Sequence, residues 1–98
     1  MERQPLSVEI NAHGYLLMGA EIAREYFSEG SLVPLLKEKE LWLLPLHRAQ
    51  GGGLLLKQRN AAGDRSVLLL EILPEKYLGK SFAAFWDAGN GALRIGLV

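Results

Sequence analysis

Two rhythms of apolar and polar residues alternate along this chain, and most of it keeps the shorter one. Leu6, Val8 and Ile10 alternate with Ser7 and Glu9, the period of two expected of a half-buried strand. The turn residues NAHG at 11–14 follow, and YLLM reads as a short return strand. The rhythm then changes once. In AEIAREYFS, residues 20–28, Ile22 and Tyr26 fall at helical spacing with Ala23 and Phe27 on the flank, while Glu21, Arg24 and Glu25 point away. Gly30, just past the last apolar residue, is placed to end that helix in the left-handed conformation.

SLVPLLKEKELWLLPL, residues 31–46, reads as a hairpin with the charged tip Lys37-Glu38-Lys39-Glu40. Pairing Leu36 with Leu41 puts Val33, Leu35, Trp42 and Leu44 on one face and Leu32, Pro34 and Leu43 on the other. Both faces are apolar, so the hairpin needs two covers, the core and something else. Leu32, Leu35, Trp42 and Leu44 are therefore candidates for self-association. Pro34 and Pro45 lack backbone donors, so at least one arm is expected to lie at a sheet edge or to end at its proline.

Two further hairpins follow the loop HRAQGGG. Residues 54–59 and 65–73 flank NAAGD, and residues 81–86 and 92–98 flank DAGNG, each read as a five-residue turn. The connection PEKYLGK, 74–80, lies on the surface. These elements give an α+β fold, predominantly antiparallel β: a small barrel or sandwich of about six to eight strands with one short helix at residues 20–28. At 98 residues it is expected to be a single domain over 1–98.

Composition narrows the chemistry. Eleven Lys and Arg against eleven Asp and Glu leave no net field to draw nucleic acid or an anionic membrane. The absence of cysteine excludes disulfides, thiolate ligands and cysteine nucleophiles. No segment reaches the ~20 apolar residues of a membrane span and the first ten residues lack a signal-like apolar run, so a cytoplasmic location without membrane contact is expected.

Gly51-Gly52-Gly53 suggests a phosphate loop until its sequel is read. A phosphate loop leads into a helix N-terminus, but LLLK reads as a strand, and neither GxxxxGK[ST] nor GxGxxG is present. The glycines read better as a crossing into a strand. Beyond them, pairing Arg59 with Arg65 across NAAGD gathers Lys57, Arg59 and Arg65 at one tip, with Arg48 placed to extend the patch. Pairing Trp86 with Ala92 sets Phe82, Trp86 and Arg94 on one face as an aromatic and cationic platform, leaving Leu93, Ile95 and Leu97 to the core.

His13 and His47, the only histidines, lack the spacing of metal ligands, and no serine sits in a GxSxG elbow. No metal, cofactor or catalytic residue is assigned. The order strand, short helix, apolar hairpin over residues 6–46 resembles the half-unit of AbrB- and MraZ-type swapped-hairpin proteins, which implies an intertwined dimer binding DNA through basic residues. That resemblance rests on element order over less than half the chain, and the family is not assigned. The reading favoured by the residues is a non-catalytic binding or accessory module that self-associates and takes a protein partner. The alternatives are a nucleic-acid-binding protein using the basic tip, and a small enzyme.

Overall fold

The computed structural model describes residues 6–47 and 52–98. β1 (Leu6–Ile10) and β2 (Tyr15–Met18) form the first hairpin. Its turn is built by Asn11, whose Oδ1 accepts hydrogen bonds from the amides of His13 and Tyr15. Gly14 makes the turn possible in two ways: its φ is +87°, and a Cβ there would stand 2.6 Å from Leu70 Cβ.

The helix α1 (Ala20–Tyr26) is shorter than its sequence pattern suggests. Phe27 already leaves helical geometry at φ −129°, and Gly30, at φ +80°, returns its amide to the Phe27 carbonyl. Ile22, Ala23 and Phe27 enter the core, while the Tyr26 ring stacks on Trp86 with centroids 4.4 Å apart.

β3 (Ser31–Lys37) and β4 (Glu40–Pro45) form the long apolar hairpin with Leu36 opposite Leu41, as the charged tip predicts. β5 (Leu54–Leu55), β6 (Lys57–Gln58) and β7 (Arg65–Leu68) follow. A 3-10 turn at Glu75–Tyr77 leads to β8 (Lys80–Asp87) and β9 (Ala92–Gly96). All pairings are antiparallel, and the strands run in the order β5-β3-β4-β9-β8-β1-β2-β7-β6. The result is a nearly closed, barrel-like antiparallel sheet with one helix.

Closure is made by the segment 54–58. Its first half pairs with β3 and its second half with β7, so the two ends of the strand order are consecutive in the chain. Leu56 is the hinge between them: its amide donates to the Gly30 carbonyl, and its side chain is buried. This change of partner within five residues splits one expected strand into two and raises the count to nine.

Both later hairpins are one residue out of the expected register. Gln58 faces Arg65 and Lys57 faces Ser66; Trp86 faces Leu93 and Asp87 faces Ala92. The loops hold four residues, 60–63 and 88–91. Asn60 Oδ1 accepts from the amides of Gly63 and Asp64, Asp87 Oδ1 accepts from the Asn90 amide, and Gly63 and Gly91 take positive φ to re-enter the strands. A shift of one residue exchanges the two faces of a strand. Val67 and Leu69 are consequently buried while Leu68 and Leu70 are exposed, and Phe82 and Ala84 fill the core while Ala83 and Phe85 are exposed. β7 also ends early, because a turn closed from Leu73 to the Leu69 carbonyl replaces its last residues.

Ile10, Leu16, Leu32, Leu41, Leu43, Leu93 and Ile95 fill the barrel, with Phe27 plugging it from the helix. Fully burying such a side chain stabilises the fold by about 1.5–3 kcal/mol. Among the described residues no polar or charged side chain is buried, so the interior is a packed apolar core.

Candidate binding surfaces

The hairpin β3–β4 and its neighbours set four outward side chains in one row across four strands. Leu35 faces Trp42, Trp42 faces Arg94, and Arg94 faces Phe85. The Lys37 ammonium lies 3.9 Å from the centroid of the Trp42 rings, and the Arg94 guanidinium carbon lies 4.7 Å from Trp42 and 4.9 Å from Phe85. Such contacts are attractive because the ring face is electron-rich.

Arg94 is also the hub of the charges on this face. Its Nε and Nη2 donate to Glu40 Oε1 at 3.1 and 2.8 Å, and Nη1 donates to Asp87 Oδ2 at 3.0 Å. The indole N–H of Trp42 donates to the same Glu40 oxygen at 2.9 Å. The Trp42 bond, followed by the Arg94 bonds, holds the Glu40 carboxyl below its usual range. Asp87 is lowered by the Asn90 side chain and then by Arg94, whose own pKa is raised by Glu40 and Asp87. The charge of Arg94 is therefore met inside the domain.

A second outward surface is almost purely aliphatic. Leu55 is 66% exposed, Leu68 48% and Leu70 47%, and Leu54, Ile72 and Tyr15 are exposed with them. All of these but Leu55 are joined: Tyr15 faces Leu68 across β2 and β7, Leu70 lies against Gly14 beside Tyr15, and Leu54, Leu68 and Ile72 line one shallow cleft of about 280 Å³. Glu71 is the one charged residue lining that cleft. Monomeric proteins seldom leave a large contiguous apolar patch to water, and patches rimmed by polar groups mark interaction sites.

The residues singled out from sequence are distributed differently. Lys57, Arg59 and Arg65 do not share a face: Arg65 pairs with Gln58 and directs Nη1 to the Leu56 carbonyl at 3.4 Å, whereas Lys57 pairs with Ser66 on the opposite side. Arg59 closes the loop against Asp64, donating its amide to the Asp64 carbonyl at 2.7 Å. Arg48 lies outside the described residues, as does Gly51. The platform of Phe82, Trp86 and Arg94 is likewise divided. Phe82 is buried edge-on to Tyr77, Trp86 is partly buried against Tyr26, and Arg94 stands on the outer face with Phe85 and Trp42. Of the four self-association candidates, Leu35, Trp42 and Leu44 share the outer face, while Leu32 is fully buried.

The expected registers turn Phe85, Leu68, Leu70 and Ile72 inward, whereas all four are exposed. Asn60 and Asp87 carried the missing signal, since either can begin an Asx-type turn and shorten the loop after it. Among the described residues no three His, Asp or Glu side chains gather as a metal site, and no helix is long and apolar enough to cross a membrane. Comparison of the chain with protein-family models, with curated proteins and with solved structures returned no match in any of the three.

Proposed function

We propose that this chain is a non-catalytic protein-binding module whose main docking surface is the aliphatic patch of β2, β5 and β7. One observation carries the reading: Tyr15, Leu54, Leu68, Leu70 and Ile72 form a continuous exposed surface. Covering such a patch releases water from apolar area at about 25 cal/mol per Å², which drives association. The test places a photo-crosslinking amino acid at position 68 or 70, with position 61 in the exposed loop as control. A common adduct from 68 and 70, absent from 61 and lost from 70 in Leu68→Glu, is expected, and its mass distinguishes a second copy from another protein. No adduct from either position would overturn the proposal.

Self-association through the β3–β4 hairpin is a second reading, supported by Leu35 and Phe85. Both are exposed on either side of the Trp42–Arg94 pair, and Trp and Arg are enriched among the residues that dominate interface energetics. Sedimentation at high micromolar concentration tests it. A dimer converted to monomer by Leu35→Glu supports it, and a monomeric parent chain removes it.

A further inference from the structure

We propose that the groove at the β3–β4 end of the barrel is a binding site for a small organic anion. It lies between the hairpin tip, the 3-10 turn and the start of β8, and has a volume of about 530 Å³. Small-molecule sites commonly occupy about 300–1,000 Å³.

Three features give the groove its chemistry. Its lining includes the buried side chains of Phe82 and Leu97, with Tyr77 set edge-on to Phe82 at 6.1 Å between centroids. This offers an apolar and aromatic surface to the body of a ligand. Lys39, Lys76 and Lys80 also line it, against one carboxylate side chain, Glu38. Among the described residues none of these lysines has an acidic side chain within ion-pair distance, whereas Arg94 on the neighbouring face has two. In a chain of zero net charge, three lysines outside any ion pair against Glu38 leave the groove a net positive lining, with the Lys76 ammonium 5.2 Å from the Tyr77 ring centroid.

The walls are held in place by the backbone. The Leu97 amide donates to the Lys39 carbonyl at 2.8 Å, tying the hairpin tip to the end of β9. On the other side, the Gly79 amide donates to the Ile10 carbonyl at 2.8 Å, and the Tyr77 amide closes the 3-10 turn onto Pro74. A groove formed before its ligand arrives avoids part of the ordering cost of binding. A carboxylate or phosphate among the lysines, with a ring or short aliphatic body against Tyr77 and Phe82, satisfies both halves.

The test is a nuclear magnetic resonance titration of the full chain with 1-naphthyl phosphate, 1-naphthol and inorganic phosphate. Saturable shifts are expected for 1-naphthyl phosphate at the amides of 38–39, 76–82 and 97, with affinity about tenfold above either fragment and weakened by added salt. Lys39→Ala with Lys80→Ala, both at exposed positions, lowers that affinity at least fivefold and leaves the remaining spectrum unchanged. Equal binding of 1-naphthol, shifts centred on Leu55 and Leu68, or an unaltered affinity in the double variant overturns the proposal.

Discussion

The side chain of Asp64 accepts a hydrogen bond from the amide of Ala20 at 2.9 Å, joining two residues 44 positions apart in the chain. Gly19 occupies the cap position of α1 and has no side chain with which to satisfy the first helical amides, so the β6–β7 loop supplies the acceptor. The same carboxylate accepts from Asn60 Nδ2 at 2.9 Å, which fixes the loop that presents it. One acidic residue therefore braces both a hairpin loop and a helix start. Asp64→Ala is expected to lower the thermal midpoint by several degrees and to speed amide exchange at residues 20–23. Unchanged exchange in that turn would show that the cap is dispensable.

Acidification should act through a small group of carboxylates. Asp64 is lowered chiefly by Asn60 and Ala20, Asp87 by Asn90 and Arg94, and Glu40 by Trp42 and Arg94. A carboxyl whose pKa is lower folded than unfolded stabilises the fold fully above its ordinary value, here 3.8 for the aspartates and 4.5 for Glu40. That contribution is lost as pH falls through the lowered folded value. Thermal midpoints from these groups are expected to be level down to pH near 4.5 and to fall below it. Arg94→Met should make the acid-side decline shallower, as followed by circular dichroism.

Gly14 should tolerate no side chain. Its φ of +87° is costly for any residue with a Cβ, and that atom would stand 2.6 Å from Leu70 Cβ and 2.9 Å from Leu70 Cα. Trimming Leu70 to alanine leaves both obstructing atoms in place. Gly14→Ala is expected to destabilise the domain by about 1–3 kcal/mol in urea unfolding. Gly96→Ala, which meets only Val98 at 3.9 Å, should change stability by less than about 0.5 kcal/mol.

Leu55 and Leu68 should contribute little to folding despite being large and apolar, because both remain in water. Leu55→Glu and Leu68→Glu are each expected to alter unfolding free energy by less than about 0.5 kcal/mol while reducing binding of a hydrophobic dye. Leu43→Ala, in the core, should cost about 2–5 kcal/mol. A large loss of stability from the surface pair would place these leucines in the core of the domain.

The sequence pattern was most informative where one short loop allowed a single register. Lys37 and Glu40 close a two-residue turn, and every pair from Leu36–Leu41 to Val33–Leu44 follows from it. Antiparallel β architecture, the helix at Ile22–Ala23 and the inward set Leu93, Ile95 and Leu97 were legible for the same reason: their spacing has one reading. The other hairpins were not, because NAAGD and DAGNG each accommodate a loop of four or five residues. The choice is made by hydrogen bonds that the side chains of Asn60 and Asp87 accept from loop amides, which alternation alone does not encode. Since Leu68, Leu69 and Leu70 are identical in type, the pattern could not say which faced water. The surfaces depended on that register, and so were hidden with it.

The position of Leu56 has a consequence in time as well as in space. Its segment finds its full set of hydrogen-bond partners only when β3 and β7, which stand near opposite ends of the strand order, have been brought together. Contacts that must wait for distant parts of a chain carry the largest loop-closure cost and form slowly. The middle of this polypeptide is thus fully seated only once its β3 half, paired over the 24 positions from Ser31 to Leu55, joins the local β6–β7 hairpin. Its departure would convert a closed wall into a sheet with two bare margins.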